Sequence, residues 1–130
     1  MPRRPNKTES ERVQFSYDHA QLTADTVVKR WTVPAGRKFR LDRALIINPT
    51  GLAVSGTDFF NIKLKKGSTV MANRTTASQV LTADTFHELT YSATDADLVA
   101  DAGDVISWDF DETGTATLPA GTVIFEGRLF

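Results

Sequence analysis

One punctuation recurs three times along this chain and restricts what it can fold into. Val33-Pro-Ala-Gly36 precedes Arg37-Lys-Phe-Arg-Leu-Asp-Arg-Ala-Leu-Ile-Ile47. Val99-Ala-Asp-Ala-Gly-Asp104 precedes Val105-Ile-Ser-Trp-Asp-Phe110, and Leu118-Pro-Ala-Gly121 precedes Thr122-Val-Ile-Phe-Glu-Gly-Arg-Leu-Phe130. Each unit is an apolar residue, a small Gly-containing turn and a β-rich run. Pro34 pre-sets φ and Gly36 permits φ > 0, so the chain can reverse between runs. In the first run Phe39, Leu41, Leu45 and Ile47 share one parity, and Lys38, Arg40 and Asp42 share the other. A period of two predicts a strand with one buried face, its inner set being Phe39, Leu41, Leu45 and Ile47.

The same reading extends along the chain. Val13-Gln-Phe-Ser-Tyr17 alternates as a first strand, and Val28, Trp31 and Val33 lie in a second β-rich run. Asn48-Pro-Thr-Gly51 is a turn. Phe60, Ile62 and Leu64 alternate with Phe59, Asn61, Lys63 and Lys65, and Lys66-Gly-Ser68 is a tight hairpin turn into Thr69-Val-Met-Ala72. Asn73 to Thr85 reads as a long polar loop and Phe86 to Tyr91 as one strand. Thr94-Asp-Ala-Asp97 is a turn or short helical start, and Asp111-Glu-Thr-Gly114 is a turn. No twelve-residue window has helical periodicity. Seven to nine short strands predict an all-β chain, an antiparallel β-sandwich. A jelly roll and an immunoglobulin-like sandwich both fit; the many strands and irregular connections favour the jelly roll.

At 130 residues the chain is one folded domain by size. The expected division is an extended N-terminal arm over residues 1–25 and a sandwich over 26–130. Residues 1–12 are polar, with Arg3, Arg4, Lys7 and Arg12 against Glu9 and Glu11, and with two prolines. No apolar stretch follows the first residues, so a secretory signal is not expected. No apolar run reaches membrane-spanning length. The absence of cysteine excludes disulfides and thiolate metal sites.

A search for chemistry yields little. The two histidines, His19 and His87, share no metal-ligand spacing, and the His-x-His pair of a cupin-type site is missing. His87 reads as a surface residue. No serine sits in a Gly-x-Ser-x-Gly elbow, and no Gly-rich phosphate loop is present. The residues 92–121 hold Asp95, Asp97, Asp101, Asp104, Asp109, Asp111 and Glu112 with no Lys or Arg. Asp109-Phe-Asp-Glu112 offers hard oxygen ligands, but without the spacing of a calcium loop. The expectation is no catalytic residue, no metal and no cofactor. Asn6-Lys7-Thr8 and Asn73-Arg74-Thr75 match the glycosylation acceptor pattern by chance.

Charge is segregated along the sequence. Lys29, Arg30, Arg37, Lys38, Arg40, Arg43, Lys63, Lys65, Lys66 and Arg74 fall between residues 29 and 74, opposed only by Asp42 and Asp58. Two readings follow. Neighbouring strands neutralise each other inside one chain, or opposite patches meet head-to-tail between subunits. With a net charge of −1, nothing draws the chain to nucleic acid.

The runs Trp31-Thr-Val-Pro-Ala-Gly-Arg-Lys-Phe-Arg-Leu41 and Ile46-Ile-Asn48 resemble small virion proteins of tailed bacteriophages, as do Ala102-Gly-Asp-Val105 and Leu118-Pro-Ala-Gly-Thr-Val-Ile-Phe-Glu-Gly127. Specifically, residues 27–130 are similar to capsid decoration (cement) proteins with a jelly-roll-like sandwich. The resemblance implies a homotrimer on the outside of an icosahedral head, bridging subunits of the major capsid protein. It implies no catalytic residue and an N-terminal arm on the shell. Arg3, Arg4, Lys7 and Arg12 are the expected polar contacts of that arm, with Val13, Phe15 and Tyr17 as its apolar anchors. Neither nucleic acid nor membrane is an expected partner. The alternative is a head-fibre or carbohydrate- or receptor-binding sandwich module.

Overall fold

The computed structural model describes residues 11–130, which form two antiparallel sheets packed face to face. Seven strands have seven or more residues: β1 (Glu11–His19), β2 (Thr26–Thr32), β3 (Phe39–Ile47), β4 (Phe59–Lys66), β5 (Thr69–Thr75), β9 (Val105–Thr113) and β10 (Gly121–Leu129). Three have two residues: β6 (His87–Glu88), β7 (Thr90–Tyr91) and β8 (Val99–Ala100). A single turn of 3-10 helix, Asp95–Leu98, lies where the short helical start was expected.

The first sheet has the order β1-β10-β3-β6, with β8 also on β3; the second is β2-β9-β4-β5-β7. The pairs β1·β10, β2·β9, β3·β6 and β4·β5 nest outermost to innermost, and successive pairs fall in alternate sheets. One long antiparallel hairpin wound into two layers gives that order, which is the order of a jelly roll. The tip of the hairpin is Gly67-Ser68, with Gly67 at φ 56°.

Alternation fills the space between the layers. Phe60, Ile62 and Leu64 from β4, Ile106, Trp108 and Phe110 from β9, and Val123, Phe125 and Leu129 from β10 are all buried. An aromatic chain crosses the core. Phe15 lies 4.8 Å from Trp31 and 5.1 Å from Phe125, and Trp31 meets Phe39 edge-on at 5.3 Å. Such contacts add directional stability to plain area burial.

Three irregularities alter the expected parity. In β3 the register slips opposite Glu126/Gly127, leaving Asp42 as an extra residue. A bulge shifts every later side chain to the opposite face. Ala44 and Ile46 are therefore buried, and Leu45 and Ile47 face outward, half-buried. The expected inner set of Phe39, Leu41, Leu45 and Ile47 is correct only up to the bulge. Gly127 sits across from it, where a Cβ would run into the Arg40 carbonyl oxygen and the Phe39 ring. In β2 a slip at Arg30 lets both Val28 and Trp31 pack against the core. In β5 an extra residue, Met71, buries it together with Ala72.

Four expectations need correction. Asn73 to Thr75 belongs to β5, so the long loop starts at Thr76, whose hydroxyl accepts the Phe60 N–H at 2.9 Å. Phe86 to Tyr91 is two strands: β6 joins the first sheet, β7 the second, and buried Leu89 marks the crossing. Asp111-Glu-Thr113 continues β9, and the turn comes at Gly114 with φ 71°. The arm expected over 1–25 gives way from Glu11 onward to an edge strand of the body, because nine residues of β1 pair with β10 and bury alternate side chains.

Candidate functional site

The outer face of the first sheet carries the site. Gln14, Glu126 and Arg43 stand side by side across β1, β10 and β3, and Ile124 stands opposite Leu45 in the next row. Together with Phe86 they line a shallow depression of about 310 Å³. The Phe86 ring stands 57% exposed above it. Ile47, Pro49, Thr122 and Asp18 continue the surface toward Asp84.

The loop that presents Phe86 is braced from several sides. Asp84 holds φ 55°, a left-handed conformation that non-glycine residues seldom adopt, and its N–H donates to the Asn48 carbonyl at 2.8 Å. The buried Asn48 amide donates in turn to the Pro119 carbonyl at 2.8 Å. Leu52 and Leu81 exchange two backbone bonds at 2.8 and 3.0 Å. Arg74 donates to the Val80 carbonyl at 2.5 Å from a buried position.

Ion pairs within the chain cross this face. Arg43 meets Glu126 at 2.8 Å and Arg128 meets Asp42 at 3.6 Å. The opposite outer face is a ladder: Lys63 holds Asp111 at 2.6 Å and Lys65 holds Asp109 at 3.2 Å, each pair diagonal between β4 and β9. The Lys63 ammonium pulls the Asp111 carboxyl below its usual range, while burial pushes its neighbour Asp109 up. Lys38–Asp101 at 3.7 Å and Arg40–Asp95 at 4.0 Å complete four links from the basic stretch to the acidic one. Four of the ten basic residues of the basic stretch thus pair with the acidic one between strands of one chain, in line with the first of the two charge readings. The lysines also occupy the carboxylates considered as oxygen ligands. Among the described residues, no group of three or more His, Asp or Glu is placed to hold a metal ion. No helix among them is long and apolar enough to cross a membrane.

Neither histidine is fully exposed, and His87 differs in this from the surface residue expected. His19, only 4% exposed, donates from Nδ1 to the Ala20 carbonyl at 2.9 Å, and its Nε2 is buried without a hydrogen-bond partner. Burial holds this imidazole below its ordinary pKa. His87 is half-buried and accepts the Thr82 N–H at Nε2, 2.9 Å away. Burial first, and then Arg74, lowers it too.

The expected arm residues divide. Arg3, Arg4 and Lys7 lie outside the described residues. Arg12 is exposed near the start of β1. Val13, Phe15 and Tyr17 point inward and pack on the chain's own core, so they are not free to anchor a partner. The open side of β1 is defined by its neighbours. Ala44 turns its C=O to Leu89 and its N–H to the Tyr91 hydroxyl, away from β10. Strict alternation then points Gln14, Ser16 and Asp18 backbone groups to the open edge. Arg30 covers part of that edge by donating to the Ser16 carbonyl at 3.1 Å, with its guanidinium 5.4 Å from the Tyr17 ring centre. Sequence reasoning missed the outward Leu45, Ile47 and Phe86. The signal for Leu45 and Ile47 was the Asp42-Arg43 pair, two consecutive polar residues that interrupt a period of two.

No family model matches the chain, and no curated protein matches it. There is weak structural similarity to a chain of the "Structure of infectious bursal disease virus Gx strain", with TM-score 0.38 and 10% identity over 93% of this chain and 32% of that one. A chain of the "Structure of infectious bursal disease virus Gt strain" aligns with TM-score 0.18 and 14% identity over 92% of this chain and 39% of that one. This chain thus spans about a third of the length of the first.

Proposed function

We propose that this chain is a structural, non-enzymatic virion protein that decorates the outer surface of a tailed-bacteriophage head. It works as a homotrimer, uses no cofactor, and bridges subunits of the major capsid protein after synthesis in the host cytoplasm. Neither nucleic acid nor membrane is its partner. Bound across subunit junctions, it favours the intact shell by mass action and slows its rupture. The turn-and-strand motifs that resemble decoration proteins support this reading, and they occupy the jelly-roll body.

The observation that carries it is the outer face of the β1-β10-β3-β6 sheet. Leu45, Ile47, Ile124 and Phe86 face outward there, while Arg43 pairs with Glu126 and Arg128 with Asp42. An apolar patch with a polar rim is the surface of a protein-binding module. Contact from the N-terminal side falls to Arg3, Arg4, Lys7 and Arg12, since Val13, Phe15 and Tyr17 serve the core.

Co-sedimentation with purified heads that lack the protein tests the reading. Saturable binding at a fixed number of copies per head supports it, and heads that stay bare refute it. The second reading, a carbohydrate- or receptor-binding module, is favoured by the exposed Phe86 ring beside Gln14. Binding to an oligosaccharide array without binding to heads would select it instead.

A further inference from the structure

We propose that the surface formed by Phe86, Leu45 and Ile124 is the shell-facing contact, and that its occupant is an uncharged aliphatic segment of the major capsid protein. This inference rests on the decoration reading above and names the partner chemistry of that face.

Three observations select the occupant. First, Phe86 is held out, not left loose. Its loop carries Asp84 at φ 55°, tied to Asn48, and two Leu52–Leu81 bonds. Asp is among the few non-glycine residues that tolerate this conformation, so the bonded turn fixes the chain just before Phe86 at little cost. A pre-ordered aromatic loses little freedom on binding, which suits an anchor residue.

Second, the face has no free charge to offer at its centre. Arg43 and Glu126 engage each other at 2.8 Å, and Arg128 and Asp42 do so at 3.6 Å. A polyanion finds no unpaired cation at the depression. A sugar finds one aromatic ring, but its flanking guanidinium and carboxylate are already bound to each other. An aliphatic protein segment asks only for removal of Leu45, Ile124 and Phe86 from water.

Third, the face adjoins the start of the described chain. Gln14 of β1 lines the depression beside Glu126, so a partner seated there also meets the first described strand.

The test uses the full chain, heads lacking it, and three variants. Phe86→Ser and Leu45→Ser address the patch, and Val27→Ser is the control, since Val27 is 60% exposed on the second sheet. Each variant is first checked by circular dichroism and thermal melting. The patch variants should keep the wild-type fold and weaken head binding by about tenfold or more, with Val27→Ser unchanged. The fold-loss caused by each patch variant relative to wild type should change less than about threefold between about 0.05 M and 1 M salt, where the screening length falls to about 3 Å, whatever salt dependence the basic residues give to wild type. If both patch variants bind heads like wild type, the patch is wrong and the decoration reading stands. If wild type itself leaves heads bare, the decoration reading fails, and the patch assignment with it. If the patch variants abolish self-association in light scattering but not head binding, the occupant is a second copy and the proposal is overturned.

Discussion

Leu45 and Ile46 are neighbours in one strand, and a bulge three residues earlier decides that Ile46 is buried while Leu45 faces outward opposite Ile124. Without Asp42 as the extra residue, the two would exchange places. Ile46→Ala should cost about 2–5 kcal/mol, as for other buried aliphatic truncations. Leu45→Ser should cost less than Ile46→Ala, since Leu45 keeps solvent contact that fully buried Ile46 lacks. Urea denaturation of the two variants checks this; equal losses would place Leu45 in the core.

Gly127 faces the bulge and has no room for a side chain. Its Cβ would meet the backbone oxygen of Arg40, which cannot swing aside as a side chain can. Gly127→Ala should therefore destabilise by about 1–3 kcal/mol, the cost of overpacking. A melting temperature equal to wild type would show that β3 and β10 can separate locally.

Much of the fold could be read from periodicity because alternation in β4, β9 and β10 runs unbroken. Phe60, Ile62, Leu64, Ile106, Trp108 and Phe110 were all assignable to one face. The site was not readable for the same physical reason that the fold was: it depends on where the period breaks. A bulge is a pairing event between β3 and β10, and residues 83 positions apart meet there, as Arg43 and Glu126 do. The charge clusters were visible, but only the register of β4 against β9 brings Lys63 to Asp111. The division of Phe86 to Tyr91 between two sheets was likewise invisible, since four strand residues around Leu89 look like one alternating run.

His19 makes stability depend on pH. Its folded pKa lies below the ordinary 6.5 because burial disfavours the imidazolium. Folding therefore favours the neutral ring, and the unfolded chain binds the proton first as pH falls. The stabilising contribution is complete above about pH 6.5 and is lost as pH drops toward the depressed folded value. His87 is lowered as well and acts with the same sign. Unfolding free energy measured between pH 8 and pH 5 should fall more steeply for wild type than for His19→Gln. Identical slopes would show that His19 carries no such linkage.

Arg30 guards the open edge of β1. Its bond to the Ser16 carbonyl removes one acceptor from an edge that, among the described residues, pairs with no other strand. Arg30→Ala should leave the monomer folded but raise its tendency to aggregate at high concentration. Light scattering over days at 37 °C reads this out. A variant as soluble as wild type would mean that the edge is protected by other means.

The most direct measurement is cryo-electron microscopy of purified particles whose genome encodes this chain. The decoration reading predicts jelly-roll density on the outside of the head, in threefold clusters, with the β1-β10-β3-β6 sheet turned toward the shell and Phe86 at the contact. Heads without that density, with the chain found instead in a tail or fibre or in no particle at all, would contradict it.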